Sequence, residues 1–191
     1  MQTLDLSRVS EEGRAAASSI AAKAGVNLAD CYQCGKCSAG CPMAGAMDMT
    51  PQQVMHALQL GLADEALSAK GPWVCAQCMV CSARCPQKID ITAIMLEVRR
   101  ASATSGKCPL PESDVFESSF INGVRRGGKS NEQYLALAFN VKSGHLLQDM
   151  DSAPAMFAKG IVGLAPHRVD DTAAVKRLVD KCLDEKGGAH E

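Results

Sequence analysis

The chain has 191 residues, with 20 Lys and Arg against 21 Asp and Glu, a formal net charge of −1 and 47% hydrophobic residues. That length suits one domain with extensions or at most two small domains, and the balanced charge excludes a general nucleic-acid binder. One Trp, two Tyr and four Phe stand against nine Met and ten Cys, so the packing rests on small or flexible apolar side chains.

The N-terminal MQTLDLSRVSEEGR lacks the apolar segment of a secretory signal. The longest apolar pieces, around 161–165, are far shorter than the roughly 20 residues that span a bilayer. A cytoplasmic chain without a membrane span is therefore expected. Ser10 predicts an N-cap for an alanine-rich helix running to Ala24 and stopping at Gly25.

Eight of the ten cysteines then fall in two copies of one pattern, CYQCGKCSAGCP from Cys31 and CAQCMVCSARCP from Cys75, each C-x2-C-x2-C-x3-C-P. This run is the bacterial signature of paired four-iron clusters, in which the fourth cysteine of each motif ligates the other motif's cluster. Cys31, Cys34, Cys37 and Cys85 are thus expected to hold one [4Fe-4S] cluster, and Cys75, Cys78, Cys81 and Cys41 the second. Three closely spaced cysteines can reach three corners of a cubane, and a distant residue has to supply the fourth. Zinc also takes four cysteines but would use C-x2-C pairs, leaving the third cysteine of each triplet without a role. A disulfide framework would need an oxidising compartment.

The copies agree beyond their cysteines, with Gln33 matching Gln77, Ser38 matching Ser82 and Ala39 matching Ala83. Each leads into a helix through a related tetrapeptide, Met47-Asp48-Met49-Thr50 or Ile89-Asp90-Ile91-Thr92, which reads as an internal duplication. Thr50, Pro51 and Gln53 predict a capping box ahead of an apolar stripe at Val54, Met55 and Leu58, with Gly61 ending the helix. Ile91, Ile94, Met95 and Val98 predict an amphipathic helix to about Ser105. No alternating strands flank the motifs, as a compact βαβ ferredoxin would need.

Beyond Gly106, Cys108-Pro109-Leu110-Pro111 breaks the chain. Helices are expected over about 112–126, 131–140 (capped by Ser130), 153–162 and 172–186. The division is a 1–24 N-terminal helix, a 25–105 cluster domain and a 106–191 arm of short helices that suits partner docking.

The motifs and the continuation PQKIDITAIMLEVRR resemble the α-helical ferredoxin family, over roughly residues 25–105. That module occurs in the C subunit of heterodisulfide reductase and in succinate, glycerol-3-phosphate and glycolate dehydrogenase iron–sulfur subunits. No [2Fe-2S] cysteines precede Cys31 and no CCG cysteines follow, so the likeness is to the heterodisulfide reductase C subunit; the segment GHLLQDMDSAPAMFAKGIVGLAPHRV is a softer match to it. The resemblance implies an all-α protein with two [4Fe-4S] clusters, relaying electrons between an A subunit bearing flavin and clusters and a B subunit with CCG-type cysteines. Hydrogenase or formate dehydrogenase modules are further partners it allows. The alternatives are a free ferredoxin-like carrier and an iron–sulfur subunit of another dehydrogenase complex.

No substrate site is expected on the chain itself, because no nucleophile–base pair, phosphate loop or dinucleotide fingerprint is present. His56 reads as a packing or surface residue in its helix, and His145 and His167 are unclustered. Lys36, Arg84 and Lys88, within or beside the motifs, either raise a cluster's potential or are ordinary solvated cations. Arg99 and Arg100 suit a helix C-terminus, and Arg125, Arg126 and Lys129 suit either docking or solvent. Cys182 is expected to pack with Val175, Leu178 and Val179, and Cys108 to be a free thiol.

Overall fold

The computed structural model describes residues 5–146, 148, 153–159 and 169–185, and every regular element among them is helical. The chain divides into two compact units, Met1–Leu110 and Pro111–Glu191.

In the first unit, α1 (Glu11–Ala24) starts where the Ser10 side chain accepts the Gly13 N–H and stops at Gly25 in the left-handed region. Two four-residue turns, α2 (Lys36–Ala39) and α6 (Val80–Ala83), lie inside the cysteine motifs. Between them come α3 (Pro51–Gln59), α4 (Ala63–Leu67) and α5 (Gly71–Val74), and the unit's last helix is α7 (Ile91–Thr104). The capping box forms as expected, with the Thr50 N–H donating to Gln53 Oε1 at 2.8 Å.

The apolar stripes of α3 and α7 meet in one core. Val54, Met55, Leu58, Ile94, Met95 and Val98 are all buried, joined by Ala17 and Ile20 from α1 and by Ala63, Ala66 and Leu67 from α4. Each large aliphatic side chain among them contributes about 1.5–3 kcal/mol on burial. The N-terminal helix is therefore part of this unit's core, packed on α7, α4 and α3. The core includes Cys37 and Cys81, one from each motif, so hydrophobic packing and the cysteine sites share a wall.

Two helices were not foreseeable from periodicity. α4 spans only five residues and has no side-chain cap. α5 begins with Gly71-Pro72, with the proline in the first turn, and its N-terminus is held from outside: Asp48 accepts the Lys70 N–H (2.9 Å) and the Gly71 N–H (2.8 Å). Gly71 presses so closely on the Met49 carbonyl that a Cβ there would overlap its oxygen. Trp73 of α5 is buried against α7, its indole N–H donating to Ser102 Oγ (3.2 Å) with the Arg99 guanidinium 5.0 Å from its ring.

The second unit contains α8 (Pro111–Gly127), α9 (Glu132–Ser143), α10 (Ala153–Ala158) and α11 (Thr172–Glu185), with α8 packed on α9 and α11. Asn131, not Ser130, caps α9, accepting the Tyr134 N–H, and the helix continues three residues past Asn140 to a left-handed Gly144. The expected extension of α10 to Val162 and the end of α11 at Lys186 lie outside the described residues. Cys182 is exposed rather than packed: α11 turns Val175 and Val179 partly inward and leaves Leu178 64% exposed, with Cys182 on the open side. Arg125 pairs with Asp180 and Arg126 stacks on Tyr134, so these cations serve the unit's own packing. His145 faces Glu112 at 2.9 Å, while His167 lies outside the described residues.

Candidate metal centre

Wrapping three cysteines around one cubane requires the chain to reverse between them, and both copies reverse at matching places. Gln33 and Gly35 have φ of 62° and 77°; their counterparts Gln77 and Met79 have φ of 51° and 61°. Glycine takes this conformation freely, whereas methionine does so at a cost of about 1–2 kcal/mol. The second copy thus carries strain that the first avoids, at a residue 58% exposed.

Burial repeats in register as well. The first cysteine of each motif (Cys31, Cys75) and the fourth (Cys41, Cys85) are partly buried, the second (Cys34, Cys78) is exposed, and the third (Cys37, Cys81) is buried. Each motif therefore presents one edge to the core and one to solvent. Behind each third cysteine, the matched serine holds the next helix: Ser38 Oγ accepts the Gln52 N–H (2.9 Å) at the start of α3, and Ser82 Oγ accepts the Thr92 N–H (3.0 Å) at the start of α7.

The tetrapeptides that look alike in sequence are used differently. Thr50 caps α3, but Asp90 caps α7, accepting the Ala93 N–H (3.1 Å), so Thr92 falls inside its helix and its hydroxyl lies 3.4 Å from Cys81 Sγ. Asp48, freed from capping its own helix, reaches across to α5, whose last turn runs directly into Cys75. In the first copy a glutamine ladder replaces Thr92. Gln33 Nε2 lies 3.5 Å from Cys31 Sγ and donates to Gln59 Oε1 (2.7 Å), Gln52 Nε2 donates to Gln33 Oε1 (2.9 Å), and Gln59 Nε2 reaches the carbonyls of Leu28 and Cys31 (both 2.7 Å).

Cys41 of the first motif and Cys75, Cys78 and Cys81 of the second line one hollow, closed by Pro42, Pro51 and Thr92. Burial pushes the Cys75 thiol up; the Gln77 backbone N–H opposes this, and Cys81, Cys41 and Cys78 add to it. Partial desolvation and then Cys34, Cys85 and Cys31 hold the Tyr32 phenol above its ordinary value. Burial also raises the Cys37 thiol.

The donor sets suit an iron–sulfur cluster, being all soft thiolate with an apolar wall. A cubane spreads its four thiolates over four irons, so its cysteines need not converge on a single ion. Cys108, near the end of the first unit, and Cys182 are the remaining cysteines. Lys36, Arg84 and Lys88 are all exposed, and His56 sits half-buried within α3. Sequence reasoning missed the Gln52 and Gln59 contributions and the Asp48 clasp; the Gln33–Gln77 match was the only signal pointing to the ladder.

Comparison with known proteins agrees with this chemistry. Residues 27–89 match the 4Fe-4S dicluster domain family. The C subunit of the H(2):CoB-CoM heterodisulfide,ferredoxin reductase of Methanothermobacter thermautotrophicus is 32% identical over 127 residues, covering 66% of this chain and 68% of that protein. The iron-sulfur C subunit of the CoB--CoM heterodisulfide reductase of Methanopyrus kandleri is 36% identical over 76 residues, 40% of each chain. The C2 subunit of the H(2)/formate:CoB-CoM heterodisulfide,ferredoxin reductase of Methanococcus maripaludis is 32% identical over 85 residues, 44% of this chain and 46% of that one. Among the described residues no helix is long and apolar enough to cross a membrane. With a helical fold, duplicated cysteine motifs and this similarity, the chain belongs to the family of heterodisulfide reductase C subunits and is an iron–sulfur, electron-transfer subunit of that type of complex.

Proposed function

We propose that this chain holds two [4Fe-4S] clusters and relays electrons within a cytoplasmic heterodisulfide reductase-type complex, between a flavin-bearing A subunit and a B subunit with CCG-type cysteines. Cys31, Cys34, Cys37 and Cys85 hold one cluster on this reading, and Cys75, Cys78, Cys81 and Cys41 the other. The observation that carries it is the hollow that Cys41 lines together with the three leading cysteines of the opposite motif.

When bound, each cluster accepts and releases one electron at a time. The chain's own residues supply the thiolates, a dry inner wall and an outer edge. Buried Cys37 and Cys81 anchor the inner side against Ile94, Met95 and the rest of the core. Exposed Cys34 and Cys78 mark the outer side, where a partner's redox centre can come close. The Gln33 amide near Cys31 Sγ and the Thr92 hydroxyl near Cys81 Sγ offer hydrogen bonds that favour the more negative, reduced state.

On this reading the disulfide is reduced on another subunit, and this chain supplies thiolate ligands and packing. Hydrogenase or formate dehydrogenase modules are the electron sources on this reading, which is supported by the H(2) and formate in the names of the Methanothermobacter and Methanococcus relatives. The second unit serves as the docking arm; exposed Phe116, Ile121, Leu137, Val141 and Leu178 support that role.

Anaerobic purification of the full chain from its own cells tests the reading. About eight irons per chain are expected, together with co-elution of a flavoprotein and a CCG-cysteine protein. Zinc as the main metal, or an iron-loaded chain that elutes alone, contradicts it.

A further inference from the structure

The two copies differ at the residue preceding the fourth cysteine: Gly40 before Cys41, Arg84 before Cys85. Their backbones do not explain the difference. Gly40 has φ −102° and ψ 3°, and Arg84 has φ −87° and ψ −5°, both conformations open to any residue. Glycine is therefore not needed at position 40 for the turn. What needs it is space, because the Arg84 side chain lies across it. A Cβ on Gly40 would sit 2.8 Å from Arg84 Cδ and Nη1 and 2.9 Å from Cζ. One copy has given up its side chain so that the other copy's guanidinium can lie over its backbone.

We infer that Arg84, seated over Gly40, is a potential-setting cation that acts on the iron–sulfur centres through the two crossing cysteines. This rests on the crossed ligand reading above. Arg84 is bonded to Cys85 in the chain and covers the residue bonded to Cys41, so it adjoins the one cysteine in each set that comes from the opposite motif. Ion pairs in this unit include Arg8 with Glu65, Arg100 with Glu97 and Lys107 with Asp64, and none found among the described residues neutralises Arg84. Reduction adds negative charge to a centre that is already anionic with four thiolates, and a fixed cation nearby favours that step. Because Arg84 is an exposed residue, salt weakens its effect.

The structure also supplies two independent ways to remove the cation's influence. Arg84→Gln deletes the charge. Gly40→Ala keeps it but fills the seat, and the atoms it meets are the mobile end of a side chain, so the arginine swings away while the fold stays. Redox titration of the anaerobically prepared full chain, followed by electron paramagnetic resonance with iron content measured in parallel, reads the result. At unchanged iron content, Arg84→Gln should shift a centre to more negative potential, and Gly40→Ala should shift the same centre in the same direction by less. Arg84→Lys should restore most of the shift, and the difference between wild type and Arg84→Gln should shrink at high salt.

Unchanged potentials in both Arg84→Gln and Gly40→Ala overturn the inference, as does an Arg84→Lys variant indistinguishable from Arg84→Gln. If Arg84→Gln sheds its iron, Gly40→Ala decides alone, and an unmoved potential there overturns the proposal. A wild-type chain that binds no iron defeats the ligand reading instead, so the two failures are separable.

Discussion

Asp48 lies outside every cysteine motif, yet its removal should be felt at Cys75. Its carboxylate accepts three backbone N–H groups, from Met49 (2.7 Å), Lys70 (2.9 Å) and Gly71 (2.8 Å). Asp48 is exposed and its bonds to Met49 and Gly71 are only partly buried, so water replaces part of what Asp48→Ala removes; at roughly 1 kcal/mol for each of these two bonds, with Lys70 free to solvate, the loss is about 2 kcal/mol. For a unit of this size that lowers the unfolding midpoint by about 8–16 °C. Asp48→Asn keeps one accepting oxygen but turns an NH2 towards a donor, and should cost roughly half as much. The assay is anaerobic bleaching of the iron–sulfur absorbance on heating at one fixed scan rate, since cofactor loss makes the transition kinetic. Magnetic resonance of the partly bleached sample should show the centre served by Cys75 going first. A midpoint within about 2 °C of wild type in Asp48→Ala would refute the clasp.

Gly71→Ala drives a Cβ into the Met49 carbonyl, which backbone cannot easily yield, so iron content should fall from about eight to about four per chain. Ser102→Ala leaves the buried Trp73 indole N–H without its acceptor, and the same bleaching assay should show a loss of about 1–3 kcal/mol. Cys182→Ala should leave iron content and spectra unchanged, because that thiol is exposed in the second unit. Truncation after Leu110, where the two units divide, should keep the spectra intact while abolishing co-elution with partner subunits.

The helices that announce themselves by caps and period were legible: Ser10 and Gly25 bracket α1, the Thr50–Gln53 box opens α3, and Ile91, Ile94, Met95 and Val98 bury one face of α7. What was not legible depends on partners distant in sequence. α5 was not expected from the sequence, because the residue that stabilises its first turn, Asp48, lies 22 and 23 positions before the donors it holds. The pairing of Asp48-Met49-Thr50 with Asp90-Ile91-Thr92 is real as sequence similarity, but helix α7 starts two residues earlier within it than α3 does. The same letters therefore perform different tasks. Gly40 against Arg84 looks in sequence like one difference among many; only packing shows that one makes room for the other. Cys182 departs from its expected packing because a period identifies a face without saying how far that face turns towards its neighbour.

On the proposed ligand sets, each centre borrows its fourth cysteine from the other motif. The most direct measurement is electron paramagnetic resonance of the reduced, anaerobically prepared chain carrying Cys41→Ala or Cys85→Ala, with Cys31→Ala and Cys75→Ala as references. Cys85→Ala should perturb the centre that Cys31→Ala perturbs, and Cys41→Ala the one that Cys75→Ala perturbs. If Cys85→Ala alters only the centre that Cys75→Ala also alters, each motif closes on itself and the crossed assignment is wrong.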